Sequence, residues 1–266
     1  MNRPKLGISY NVFDGDEILP FAVSNLRSKA DYIVVIYQTT SNYGNKYLEV
    51  EKVVKELKDK GLIDEIYHYE PEILMKGNNV DFESGWKNEI CKRNIGLELC
   101  RENGCDYFMT LDCDELYDHS EFDYAFNEVV ENNNDTSFTL LKTYYSDAEH
   151  ELYPPEKHYQ PFIYKITDGI YFEFTSNYKV FVDGTKRMKT LNPRVFERNE
   201  IEQYHFAYVR KNIRRKVENS SAQTSSEMKE SVINHYENFK DGDSALMIGM
   251  QKYSLINVKN KFGIKI

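Results

Sequence analysis

The sequence predicts a doubly wound α/β sheet, and three observations carry that prediction. Tyr32-Ile33-Val34-Val35-Ile36-Tyr37 is an unbroken β-branched and aromatic run, the composition of a strand buried on both faces of a parallel sheet. Strand-like and helix-like patterns alternate four times before Asp112, which is the rhythm of strand–helix–strand units. One of those helices displays its buried stripe openly, with Val50, Val53, Val54 and Leu57 at i, i+3, i+4 and i+7 and Gly61 just beyond as a stop.

Taken in order, Leu6 to Tyr10 is a short apolar strand, and the polar turn Asp14-Gly15-Asp16 opens a helical pattern from Glu17 through Leu26. The run from Tyr32 to Tyr37 is the second strand, and the polar loop Gln38 to Asn45 follows it. After the helix around Val50 to Leu57, Ile63 to Tyr69 makes a third strand, and Glu70 to Gly85, with Pro71 and Gly77, forms a loop long enough to have a function. Trp86 to Asn103 is expected to be a helix with Ile90, Cys91, Asn94 and Ile95 on one face, and Tyr107 to Leu111 a fourth strand ending on Asp112. In sheets of this kind ligands bind at the carboxyl ends of the strands, where Asp112 and Asp114 stand.

Beyond Asp114 the pattern becomes mixed. A helix is expected at about Phe122 to Val130 and a strand at Ser137 to Tyr144, with shorter strand-like pieces at Phe162 to Ile166, Tyr171 to Phe174 and Lys179 to Val182. Two helical stretches follow, about Tyr208 to Val217 and Glu227 to Phe239, separated by the polar run Ser220 to Ser226. The expected organisation is a nucleotide-binding half over residues 1–115, a second half over 116–206, and a C-terminal helical extension over 207–266.

Composition narrows the partners. At 266 residues the chain can bury a core of ordinary size. A net charge of -9 would repel a nucleic-acid backbone, so nucleic acid is excluded as a partner and any phosphate must be captured by a local basic pocket. Cys91, Cys100, Cys105 and Cys113 form no Cys-x-x-Cys pair, and they read as reduced thiols of a cytoplasmic protein. No apolar stretch approaches the ~20 residues that span a bilayer. Peripheral association with the inner face of a membrane stays open. Aromatic residues make up 14% of the chain, 21 of them Tyr, a composition suited to stacking on sugars or bases.

No Gly-x-Gly-x-x-Gly and no Gly-x-x-x-x-Gly-Lys occurs, so a diphosphate would not be held on a glycine-rich loop. Two carboxylates one residue apart on the turn after a buried strand can instead face a hard divalent cation, Mn or Mg, that also binds diphosphate oxygens. Asp112 and Asp114 have that spacing. An Asp-x-Asp by itself is weak, because acidic pairs also cap helices.

The surrounding residues strengthen it. Ile8-Ser9-Tyr10-Asn11 followed by Asp16-Glu17-Ile18-Leu19, and Lys87-x5-Arg93-Asn94-x-Gly96-Leu97 leading to Tyr107-x4-Asp112-x-Asp114, resemble the GT-A glycosyltransferases, especially the family 2-like enzymes of bacterial surface-polysaccharide assembly. The resemblance spans about residues 6 to 210. It implies a Rossmann-like GT-A fold, a mainly parallel sheet flanked by helices with a mixed acceptor-side half. It also implies that Asp112 faces ribose or metal, that Asp114 ligates the metal, and that His205 supplies a further metal ligand. Asn11, Glu17, Lys87, Arg93 and Asn94 would then lie toward the nucleotide, and the basic run Arg210, Lys211, Arg214, Arg215 and Lys216 would neutralise the leaving diphosphate. Relatives often hold the base with an acidic loop after the second strand. Here Gln38-Thr39-Thr40-Ser41 stands in that place, and Gln38 can pair with the edge of uracil.

A direct displacement also needs a base. Asp147, Glu149, Glu151, Glu173 and Asp183 fall in the region where relatives carry it, with Glu173 preferred and Asp147 second. The expected activity is transfer of a sugar, from a UDP-sugar by preference, to a hydroxyl of a glycan or related acceptor. A sugar nucleotidyltransferase is the rival enzyme, though Asn11-Val12-Phe13-Asp14-Gly15-Asp16 is a poor match to its phosphate loop. A catalytically silent protein that binds nucleotide sugars or glycans is the rival of a different class.

Overall fold

A computed structural model of the chain describes residues 3–72, 82–174, 178, 180–220 and 225–266, without the side chains of 82–84. The centre of the expected loop Glu70 to Gly85, residues 73–81, the turn Thr175 to Asn177, Lys179 and the centre of the serine-rich run, Ser221 to Thr224, lie outside those residues, and the last part of that loop, from Phe82, is already helical.

The strands are β1 (Leu6–Val12), β2 (Tyr32–Tyr37), β3 (Glu65–His68), β4 (Tyr107–Asp112), β5 (Glu115–Leu116), β6 (Thr136–Tyr145), β7 (His150–Tyr153), β8 (Tyr159–Lys165), β9 (Pro193–Val195), β10 (Glu202–Tyr208), β11 (Ala245–Leu246) and β12 (Lys252–Asn257). The helices are α1 (Leu19–Leu26), α2 (Glu49–Asp59), α3 (Phe82–Glu102), α4 (His119–Glu131), α5 (Ile213–Glu218) and α6 (Ser226–Glu237), with one 3-10 turn at Gly184–Lys186.

The result is a mixed α/β fold built on one large sheet with helices flanking it. β3, β2, β1 and β4 run parallel in that order, as the buried β-branched runs predict. Antiparallel β8 and β6 continue the sheet from β4, and β7, β12 and β11 close its far edge. The parallel register is what builds the site. Asn11 of β1 pairs with Asp112 of β4, and Val12 pairs with Tyr37 of β2, so the three carboxyl ends stop at one level.

Helix α3 lies close across β1, and Gly96 is the contact. A Cβ there would fall 2.1 Å from Ser9 Oγ, so only glycine lets the helix come down far enough to deliver its N-terminal half over the strand ends. Gly15 has a similar duty in the turn after β1. It holds φ +80°, and a side chain there would run into Cys113 Sγ at 2.5 Å.

Four expectations change in the second half. Tyr171 to Phe174 makes only an isolated bridge, Phe172 to Met188, and no strand forms over Val180 to Val182, because Asp183 turns the chain there. Tyr208 closes strand β10, and the helix begins only at Ile213, after an Asn212 cap. The C-terminal segment expected to be helical also carries β11 and β12, and β12 pairs with β7. Ile264 is buried in the main core, the same cluster that holds Val209 and Phe206. Among the described residues no helix is long and apolar enough to cross a membrane.

Candidate active site

A cleft of about 220 Å³ opens where β1, β2 and β4 end, lined by Asn11, Phe13, Gln38, Ser41, Asn42, Trp86, Arg93, Asp112, Asp114, Asp183, Thr185 and Lys216. It carries buried polar atoms with no hydrogen-bond partner among the described residues: both amide atoms of Asn11, Gln38 Oε1, Arg93 Nε and Asp114 Oδ1. Gln38 uses its Nε2 on the Thr40 carbonyl at 2.8 Å, which leaves Oε1 as the free end. Such atoms cost about 1–3 kcal/mol each when left unsatisfied, so their concentration on one wall marks a place shaped for a polar ligand.

Charge is arranged in two knots. Asp112, 38% exposed, meets Arg93 at 3.3 Å and Lys186 at 3.0 Å, and the buried Lys186 ammonium also donates to Glu115 at 2.8 Å. Burial opposes ionisation of Asp112, but Lys186 and Arg93 outweigh it and hold the carboxyl well below its usual range. Glu115 shifts the other way, although the same ammonium lies at 2.8 Å. Burial, with Asp112 and Asp114 nearby, pushes it up to about 7. The second knot is Asp114, 1% exposed, whose Oδ2 accepts from Arg210 and lies 3.4 Å from Lys216. Burial is again outweighed, here by Lys216 and Arg210, so Asp114 stays ionised.

His205 is brought to this point by strand pairing. β10 runs antiparallel to β5, with His205 opposite Glu115, and Phe206 N donates to the Asp114 carbonyl at 2.8 Å. His205 Nε2 then lies 3.9 Å from the unpartnered Asp114 Oδ1. Two ligands ~2.1 Å from one ion stand roughly 3.0–3.4 Å apart at octahedral or tetrahedral angles, so this pair would have to close by about half an ångström to share a divalent cation. Burial lowers the pKa of His205 and favours the neutral ring a metal requires. Its Nδ1 lies 3.4 Å from Thr143 Oγ1, and that hydroxyl gives its only proton to Glu156. Thr143 is thereby placed to accept from Nδ1–H, and in that tautomer the Nε2 lone pair faces Asp114. Asp112 differs from the expectation of a third metal ligand, since Lys186 and Arg93 take up its carboxylate. Among the described residues no cluster of three or more His, Cys, Asp or Glu could hold a metal unaided.

Of the expected residues, Asn11, Gln38, Arg93, Asp112 and Asp114 converge on the cleft, with His205 against Asp114. Others stand elsewhere. Asn94 is consumed by the backbone of Phe172, donating to its carbonyl at 3.0 Å and accepting from its amide at 2.7 Å, and it works as a strut. Lys87 is exposed on the face of α3 that carries Asn94, in a groove with Ile90 and Cys91. Glu17 accepts from the backbone of Lys211 at 3.2 Å, so this pair anchors the chain entering α5 and lies outside the cleft lining.

Both preferred bases are displaced as well. Glu173 N pairs with the Arg187 carbonyl, and its side chain lines a separate groove with Asp135 and Lys165. Asp147 is occupied in a turn by the amides of Glu149 and His150 and by the His150 ring. Asp183, weighed beside them from sequence, is the one that lines the cleft. Its Oδ1 caps the 3-10 turn through Thr185 N at 2.8 Å, and among the described residues Oδ2 takes no hydrogen bond. Lys186 had no visible role in sequence. The available signal was Asp183-Gly184, a turn dipeptide that marks where the chain must double back toward the strand ends.

No protein-family model matches the chain, and no curated protein matches it. Among solved structures it is similar to S. aureus TarS residues 1–349, at 13% identity and a TM-score of 0.46, over 88% of this chain and 71% of that one. It is similar to the same protein in complex with UDP-GlcNAc, at 13% identity and a TM-score of 0.45, over 88% and 72% of the two chains. A third similarity is to the S. cerevisiae mannosyltransferase Ktr4p, at 13% identity and a TM-score of 0.32, over 55% of this chain and 41% of that one.

Proposed function

We propose that this chain is a metal-dependent glycosyltransferase that moves a sugar from a nucleotide donor, a UDP-sugar by preference, to a hydroxyl of a glycan acceptor in surface-polysaccharide assembly. One observation carries the reading: unpartnered buried polar atoms and paired cations share a single wall at the carboxyl ends of three parallel strands. Asn11 and Gln38 offer the amide atoms that would orient the nucleoside. Arg93 and Lys216 would bind the diphosphate oxygens as charge develops on them. Asp114 Oδ1 and His205 Nε2 would hold a Mn or Mg ion, with the remaining ligands drawn from the donor. That ion would supply Lewis-acid stabilisation of the departing diphosphate.

In a direct displacement the bond from the anomeric carbon to the diphosphate oxygen breaks while the acceptor oxygen bonds to that carbon. Asp183 Oδ2 is the group available to accept the acceptor's proton. The test is calorimetry of UDP with and without manganese, together with turnover of UDP-sugars by the Asp183→Asn variant. The variant is expected to bind UDP as the wild type does and to transfer at least about a hundredfold more slowly. Failure of the wild type to bind any nucleoside diphosphate would sink the donor assignment. Normal transfer by Asp183→Asn would sink the choice of base.

A further inference from the structure

Trp86 is the only tryptophan in the chain, and it lines the cleft. Its ring stacks on Phe174 with centroids 4.9 Å apart and planes 12° apart, yet Phe174 remains 58% exposed. A third residue fixes that ring. A Cβ on Gly184 would fall 2.6 Å from Phe174 Cε2, so the missing side chain lets the ring sit directly against the turn that carries Asp183 and Thr185. Nothing on residue 184 intervenes between the ring and the cleft carboxylate. A large aromatic held in a stack, half open to water and beside a carboxylate one oxygen of which takes no hydrogen bond among the described residues, is a surface built for a ligand with an apolar face and polar edges.

We propose that Phe174, backed by Trp86, is the acceptor subsite, and that it takes the C–H face of a pyranose ring so that one ring hydroxyl reaches Asp183. This rests on the reading of the cleft as a donor site and names the acceptor chemistry. The pyranose follows from the shape of the surface. A lipid tail needs a continuous apolar groove, whereas the cleft beside this one flat ring is lined with Asp183, Thr185 and Asn42. A sugar ring meets both demands at once, apolar against the aromatic face and hydroxylated at the rim, and stacking fixes its rotation relative to the base.

Because Trp86 is the sole tryptophan, its fluorescence reports on the subsite directly. The full chain would be titrated with UDP and manganese, and separately with methyl glucopyranosides, methyl N-acetylglucosaminide, cellobiose, maltose and lactose. At least one sugar is expected to change the emission saturably. Phe174→Ala should weaken that sugar about tenfold or more, Phe174→Tyr should stay within about threefold of wild type, and UDP affinity should move less than about twofold. Phe174 is exposed, so the variants are expected to keep the wild-type melting temperature. The proposal is overturned if no sugar of the panel perturbs Trp86, if Phe174→Ala binds sugar as well as wild type, or if it loses UDP and sugar alike, which would assign the ring to the nucleoside. Loss of UDP binding in the wild type would overturn the donor reading and leave the sugar titration to judge the platform separately.

Discussion

Asp114 carries two duties that pull in different directions. It faces His205 through Oδ1 and neutralises the buried Arg210 through Oδ2. Asp114→Asn should therefore abolish turnover and also cost stability, by about 3 kcal/mol or more, because Arg210 would be left buried and uncompensated. Its folded pKa lies below the ordinary 3.8. The stabilisation is thus complete above about pH 4 and fades as pH falls further, and urea titrations should show an acid slope in the wild type that is reduced in Asp114→Asn. Thr143 tests the neighbouring argument. Replacing it with Val removes the acceptor for His205 Nδ1, so nitrogen NMR of the metal-free protein should show loss of the single Nδ1–H tautomer, and manganese affinity should fall about 10-fold or more. An unchanged tautomer would mean that Thr143 does not orient the ring.

Helix α3 and helix α5 place the cations of the cleft by different means. α3 depends on the close approach at Gly96, so Gly96→Ala should cost about 1–3 kcal/mol, and adding Ser9→Gly, which removes both clashing atoms, should recover most of it in denaturation experiments. Equal stability of Gly96→Ala and wild type would show that the helix can shift without consequence. α5 is held from below by Ile213 and Val217, which pack with Tyr145, Tyr208, Val232 and Ile233. Its charged residues divide by position. Lys216 lines the cleft, whereas Arg214 is exposed among Glu218, Glu230 and Glu237. Lys216→Met should weaken UDP binding about tenfold or more while Arg214→Ala leaves it unchanged, since one removes a half-buried cation from the cleft lining and the other a screened surface pair.

At the scale of the whole molecule, the C-terminal segment is woven into the sheet. β12 pairs with β7, and Ile264 packs into the main core. Removing residues 207–266 would strip Ile213, Val217, Val232 and Ile233 from Tyr145 and Leu152, and would take Arg210 from Asp114. A chain cut after residue 206 is expected not to fold, and the full chain should unfold in one transition with coincident fluorescence and circular dichroism. Two separated transitions would restore an independent C-terminal unit.

The sequence by itself determined the parallel half. Val34 and Ile36 have to be buried, Val50, Val54 and Leu57 make one stripe, and Asp112 ends a buried strand, all because local periodicity reports directly on burial. It also pointed to Asn11, Gln38, Arg93, Asp112, Asp114 and His205, the two aspartates through their spacing after a buried strand and the others through the resemblance their motifs carry. Only the tertiary structure decided which cation meets which carboxylate. Lys186 reaches Asp112 from 74 residues away in sequence, Arg210 reaches Asp114 across 96, and Asp183 lines the cleft while Glu173 does not. Such pairings arise where irregular chain folds back over the strand ends. No period of 2 or 3.6 residues governs that segment, so a side chain's direction there is set by the turn it sits on and by what packs beneath it.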